Sequence, residues 1–186
     1  METTKQESRP GTGIYLRRAL VVLLISLSIV IADQLVKALI LRTIPEGTIG
    51  VRLWNDFLWI VHSRNLGIAL SIGDGLSKLM RVGFFIVLPS IFLIIAFVFC
   101  ISSESLGSFL RISIAILAGG GLGNLIDRIF RPDGVIDFLS FSLFGIFGLD
   151  RFPTFNIADL CVTVGAGLVL LSGFVLDKGG LHGERN

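Results

Sequence analysis

Charge is scarce in this sequence. Of 186 residues, 16% are Asp, Glu, Lys or Arg, where a soluble domain carries about 25%. The residues are 53% hydrophobic and the mean hydropathy is +0.84, which argues against an ordinary soluble domain. The net charge is only +2, and no basic cluster is interleaved with aromatics, so nucleic acid is excluded as a partner. Cysteine and histidine are nearly absent. Cys100 and Cys161 both lie in apolar segments, with no metal-ligand spacing and no disulfide framework, and read as small buried hydrophobes. His62 and His182 are far apart and neither adjoins a cysteine. No metal and no cofactor is expected. There is no G-x-S-x-G elbow for a serine nucleophile. The GGGLGN run resembles a phosphate loop but lacks the G-K-[ST] ending and sits in an apolar stretch.

Long apolar runs fill the space that charge leaves. Arg17 and Arg18 precede an apolar run from Ala19 to Ala32. No small-x-small cleavage site closes it, and it resumes after Asp33 and Gln34 as LVKALIL, so it reads as a retained first span rather than a signal peptide. Four spans are expected at about 19–41, 82–100, 107–128 and 155–176, each near the ~20 residues that cross hydrocarbon. The whole chain, 1–186, reads as one membrane domain. The third span is the least hydropathic. Its glycines, Gly119, Gly120, Gly121 and Gly123, suit a helix packed closely against others. Residues 1–16 read as a flexible tail. The connection 42–81 has short Val-, Ile-, Trp- and Phe-rich pieces bounded by Gly, Asn and Asp, which fits short strands on the membrane surface or an irregular loop. Trp54 and Trp59 would suit the interface. In the second connection, 129–154, FLSFSLFGIFGL is apolar but too short to span, and an interfacial or re-entrant piece is expected.

An even number of spans puts both termini on one side. Lys5, Arg9, Arg17, Arg18, Arg111, Lys178 and Arg185 flank that side, and basic residues are retained in the cytoplasm. Both long connections then lie outside. Asp33, Asn124, Asp127, Asp137, Asn156 and Asp159 converge on the outer boundary.

An ionisable residue in a membrane helix is costly and is a functional hypothesis by default. Asp33 has Lys37 at i+4 and reads equally as a helix salt bridge. Asp127 and Arg128 read more as a supporting end network. Asp137, in VIDF, and Asp159, in FNIAD, have no adjacent basic residue; each is either a lone interfacial carboxylate or half of a pair. Two close carboxylates share a proton, so that one serves as general base toward water and the other as general acid.

Five motifs in this order resemble the bacterial lipoprotein signal peptidases, or signal peptidase II, a family of membrane aspartic peptidases. They are DQLVK at 33–37, NLG at 65–67, GGGLGNLIDR at 119–128, VIDF at 135–138 and FNIAD at 155–159. The resemblance covers roughly 19–176. It implies four transmembrane helices with a small extracytoplasmic β-cradle and an interfacial helical segment, an otherwise all-α polytopic architecture. It implies an endopeptidase of the bacterial inner membrane that cuts diacylglyceryl-modified prolipoproteins before the lipidated cysteine. A monomer among membrane lipids is expected. Asp137 and Asp159 match the catalytic pair. Asp33, Lys37, Asn65, Gly67, Asn124, Asp127, Arg128 and Asn156 match residues that bind substrate or support the site. The NLGIALS loop, Gly121 and the long apolar stretch between the two aspartates depart from the family's usual pattern. Neither cysteine follows a signal peptide as a lipobox would, so the chain resembles the enzyme rather than its substrate. A small transporter, a structural membrane protein and a lipid-directed acyltransferase or phosphatase are the rivals. They call respectively for internal repeats around a midplane site, for polar residues that only knit helices, and for a histidine or a basic cluster at the boundary, where His62 is a lone candidate.

Overall fold

The computed structural model describes residues 12–66 and 77–180. Lys5 and Arg9 of the tail, Gly67 with the rest of GIALSIGDG, and His182 and Arg185 lie outside the described residues.

The first helix, α1, runs over Thr12–Thr43. Its buried residues, Val22, Ser26, Asp33, Lys37 and Ile40, recur every three, four or seven positions and so form one stripe. The polar members of that stripe point inward, while Leu24, Leu27, Ile31 and Leu35 are exposed. Polar inside and apolar outside is the arrangement of a helix in lipid, where a charge must find a protein partner. The short α2 (Lys78–Val82) passes through a π-helical turn (Gly83–Val87) into α3 (Leu88–Ser102). Pro89 has no N–H and its ring crowds the carbonyl four residues earlier, so a wider turn just before it relieves the helix. The fourth helix, α4, covers Ser108–Phe130, and α5 covers Ile157–Gly180. Three helical stretches, Thr12–Thr43, Leu79–Ser102 and Ser108–Phe130, are long and apolar enough to cross a membrane; Ile157–Gly173 is a shorter apolar helix.

Helix α4 is central, and it packs against α1, α3 and α5. Its small residues set the spacing. A Cβ on Gly120 would lie 2.4 Å from the Ala158 carbonyl oxygen, and one on Gly165 of α5 would lie 2.6 Å from the Leu117 nitrogen. Hydrogen at both positions lets α4 and α5 touch backbone to backbone. Ser26 Oγ donates to the Ala115 carbonyl at 2.9 Å, tying α1 to the same helix.

Three strands, β1 (Ile49–Leu53), β2 (Leu58–Asn65) and β3 (Val135–Phe141), form an antiparallel sheet in the order β1-β2-β3. The first connection therefore holds strands, and the second supplies another. Trp54, Asn55 and Asp56 take positive φ at the hairpin tip. Arg151 holds that tip by stacking 3.7 Å from the Trp59 ring centroid and donating to the Asp56 and Phe57 carbonyls. Trp54 itself is exposed.

The apolar stretch expected to form an interfacial helical or re-entrant piece is instead the continuation of β3, followed by one 3-10 turn at Ile146–Gly148. The open edge of β2 offers a ladder to Val135–Phe141, and Ile136 and Phe138 bury against Ile40 of α1 and Ile44 just after it. The helices also extend beyond their hydropathic cores: α1 starts at Thr12, before the expected 19, and α5 continues to Gly180.

Candidate active site

Asn156 and Asp159 meet through the start of α5. Asn156 Oδ1 accepts the Asp159 N–H at 2.8 Å, and Asp159 Oδ2 accepts the Asn156 N–H at 3.2 Å. This reciprocal pair is a capping box, with aspartate in the third helical position. It fixes both side chains at the helix N-terminus, where partial positive charge favours an anion.

Strand β3 brings Asp137 to them. Asn65 stands opposite Val135 in the ladder, so Asp137, two residues on, shares its face. The Asn65 amide donates diagonally to Asp137 Oδ2 at 3.0 Å, and the Asn156 amide donates to Asp137 Oδ1 at 2.7 Å. Asn124, on α4, completes the link: its amide donates to Asp159 Oδ1 at 2.7 Å, and its carbonyl oxygen accepts from Asn156 at 3.1 Å. Two side-chain amides thus bridge two carboxylates. Asp137 is fully buried. Burial, and then the negative charge of Asp159, push its carboxyl up to about 7, against the pull of the Asn65 and Asn156 hydrogen bonds and of Lys37.

Beneath the pair lies a buried ionic network. Lys37, with none of its side chain exposed, reaches Asp33 at 2.7 Å, Asp127 at 2.8 Å and the Asn124 carbonyl oxygen at 3.2 Å. All three ammonium hydrogens find acceptors. Asp33 also accepts the Ala158 N–H at 3.0 Å, in the first turn of α5. Asp127 accepts the Ile136 N–H at 3.2 Å, which anchors β3 beside Asp137. Gln34 donates to Asp127 at 2.8 Å, and Arg131 pairs with the same carboxylate. A Cβ on Gly123 would lie 3.0 Å from Asp33 Oδ2, so this glycine makes room for the network.

A cavity of about 400 Å³ reaches the pair through Asn65, which bonds Asp137; neither aspartate lines it, and Leu66, Val82, Phe85, Ile86 and Arg128 do, among others. Arg128 lies over the Phe85 ring at 5.5 Å, its charge acts most strongly on Asp159, and its Nε has no hydrogen-bond partner among the described residues. Among the described residues, no three of His, Cys, Asp and Glu converge as metal ligands.

Residues 25–175 match the family model described as signal peptidase (SPase) II. The lipoprotein signal peptidase of Borreliella afzelii is 41% identical over 152 residues, 82% of this chain and 88% of that protein. That of Treponema pallidum is 43% identical over 150 residues, 79% of this chain and 78% of its own. This chain belongs to the signal peptidase II family. Its fold agrees: a structure described as a bacterial membrane enzyme at 2.3 Å resolution superposes with a TM-score of 0.72 and 33% identity, covering 89% of this chain and 93% of the other. A second, at 1.9 Å, gives a TM-score of 0.67 and 35% identity, over 81% and 90%. The chain is therefore a multi-pass membrane peptidase, as its five motifs implied.

Within this signal peptidase II fold, every described residue that the resemblance placed at the site gathers in one region: Asp33 and Lys37 from α1, Asn65 from β2, Asn124, Asp127 and Arg128 from α4, Asp137 from β3, and Asn156 and Asp159 from the start of α5. Gly67 falls outside the described residues. Gln34 and Arg131 were missed. Arg131 stands at i+4 from Asp127, a spacing that signals a pair on one helix. Gln34 finds its partners on another helix, and no local pattern marks it.

Proposed function

We propose that this chain removes signal peptides from diacylglyceryl-modified prolipoproteins by cutting before the lipidated cysteine, with Asp137 and Asp159 as the catalytic pair. The observation that carries the reading is the two-amide bridge. Asn124 and Asn156 hold both carboxylates in one hydrogen-bonded unit, and the buried one is pushed up to about 7.

The asymmetry supports a division of roles. Asp159, half-buried at a helix N-terminus and accepting two N–H groups, is the general base. It takes a proton from water as the water oxygen bonds to the scissile carbonyl carbon. Asp137 enters protonated and gives its proton to the carbonyl oxygen. When the tetrahedral intermediate collapses, the C–N bond breaks and the proton held by Asp159 goes to the departing cysteine amine. Asp137 recovers its proton from the hydroxyl that becomes a carbonyl. Arg128 and Asn65 face the cavity that receives the peptide around the bond. Asp33, Lys37, Asp127 and Asn156 hold β3 and α5 in register.

In this reading α5 is a fourth crossing, both termini are cytoplasmic, and the pair sits near the outer face of the inner membrane. A site there reaches water while the substrate's signal helix and lipid stay in the bilayer. Withdrawing acyl chains instead would cost about 0.8 kcal/mol per CH₂. The enzyme acts as a monomer among membrane lipids.

The test compares purified wild type, Asp137→Asn and Asp159→Asn on a diacylglyceryl-modified prolipoprotein and on its unmodified counterpart. The expected result is cleavage of the modified substrate by wild type alone. Full activity in either variant sinks the catalytic assignment, and equal cleavage of both substrates sinks the substrate assignment.

A further inference from the structure

At the other end of the helices, about 22 Å of α1 away from Asp33 by the 1.5 Å rise per residue, a second cavity of about 410 Å³ opens between the starts of α1 and α4. Three guanidiniums line it, those of Arg17, Arg18 and Arg111, together with the apolar side chains of Ile14, Val21 and Ile112. None of the three arginines forms an ion pair among the described residues. The carboxylate of Glu104 is taken by the Tyr15 hydroxyl at 3.2 Å. Arg18 Nη1 is shielded from solvent and has no hydrogen-bond acceptor among the described residues. Arg111 is fixed in place, with Nε donating to the Cys100 carbonyl at 2.8 Å and Nη2 to the Ser103 carbonyl at 3.0 Å. Arg18 stands close enough to repel it.

We propose that this cavity binds the phosphate headgroup of an anionic phospholipid from the leaflet opposite the carboxylate pair. The charge calls for an anion: three clustered cations share no carboxylate among the described residues, and basic pockets between transmembrane helices take anionic headgroups. The apolar members decide between a lipid and a free anion. Ile14, Val21 and Ile112 are exposed on the same mouth, so an acyl chain continues along them from a phosphate held by the arginines. The first turn of α4 adds its own N–H groups, because Gly107 provides no side-chain cap. The site is independent of the peptidase chemistry, and a lipid held there clamps α1 to α4 at the end where they are farthest from the buried ionic network.

The experiment titrates the purified full-length chain in neutral detergent, by calorimetry, with dihexanoyl phosphatidylglycerol, dihexanoyl phosphatidylcholine and inorganic phosphate. Saturable one-site binding of the phosphatidylglycerol is expected, with no binding of the phosphatidylcholine and at least about tenfold weaker binding of phosphate, since phosphate lacks the apolar contacts. Arg17→Gln and Arg18→Gln should each weaken the phosphatidylglycerol by about fivefold, while Arg42→Gln, which removes a charge at the opposite end of α1, leaves it unchanged. Cleavage activity in phosphatidylcholine micelles should be the same in all three variants. Absence of saturable binding overturns the proposal, as does equal affinity in the Arg17 and Arg18 variants. Phosphate binding as tightly as the lipid replaces the lipid with a free anion.

Discussion

Replacing Asp137 with asparagine should make the protein more stable above neutral pH while it abolishes cleavage. The magnitude follows from the buried carboxyl. Its folded value of about 7 stands above the ordinary 3.8, so the folded state holds the proton more tightly than the unfolded chain. The protein therefore loses stability as pH rises from about 4 to about 7, at about 1.4 kcal/mol per pH unit. The loss is about 2 kcal/mol at pH 5 and about 4 kcal/mol at pH 8. Asparagine does not titrate and escapes it. The substitution has its own cost, because both carboxylate oxygens accept amide protons, from Asn65 and Asn156. An asparagine keeps one acceptor and turns its own NH₂ toward the other donor, a mismatch of about 1–3 kcal/mol. The variant should be near wild type or slightly weaker at pH 5 and clearly more stable at pH 8, with a swing of about 2–3 kcal/mol. Thermal unfolding in detergent, followed by scanning fluorimetry at both pH values beside a cleavage assay, reads it. A stability difference that stays constant from pH 5 to pH 8 would refute the raised proton affinity of Asp137, and with it the division of roles between the two aspartates.

Cleavage should fall about tenfold per pH unit above about 7, as the acid form of Asp137 is lost. Asn65→Ala should move that alkaline limb upward, because the Asn65 hydrogen bond favours the ionised carboxyl; a downward move in the pH–rate profile contradicts the geometry. Lys37→Met leaves Asp33 and Asp127 buried without their shared cation, and the cost should be about 3–5 kcal/mol, read as lost yield and a lower unfolding temperature. A tolerated substitution there would mean that the network is not what holds α1 to α4. Gly120→Ala places a methyl 2.4 Å from the Ala158 carbonyl oxygen and should destabilise by about 1–3 kcal/mol. It should also lower turnover, since Ala158 adjoins Asp159 and the start of α5 must shift.

The helices were legible because lipid demands uncharged stretches of a definite length, and the glycines of 119–123 marked α4 as the one with close neighbours. The site was legible for the same reason: each of its carboxylates interrupts an apolar stretch and so stands out. Strand β3 was not. Its residues, VIDFLSF, are buried on both faces for their first four positions, so they show neither clean alternation nor a span, and only the open edge of β2 decides what they become. Lys37 read locally as the i+4 partner of Asp33, and it is. That it also binds Asp127 and Asn124, some ninety residues away, depends on the packing of α1 against α4, which no local spacing encodes. Gln34 is hidden for the same reason.

The placement of cations explains why the pair can hold a proton at all. Among the described residues, no lysine or arginine donates a hydrogen bond to Asp137 or Asp159. Lys37 sits one amide away, and Arg128 acts on Asp159 by its charge without a hydrogen bond among the described residues. Lys37 gives its third hydrogen to the Asn124 carbonyl oxygen, which turns the Asn124 NH₂ toward Asp159. Asn156 spends its oxygen on the Asp159 N–H, which turns its NH₂ toward Asp137. Full charge is thus spent on the supporting aspartates, where it is matched ion for ion and fixes the helices. The two carboxylates proposed to react receive neutral N–H groups, which orient them without forcing ionisation. A guanidinium or ammonium in direct contact would hold Asp137 well below the usual carboxylate range and strip it of the proton that the proposed reaction needs. Asparagine at 65, 124 and 156 supplies position without that electrostatic penalty, so the site needs the amide and the cation in separate, adjacent layers.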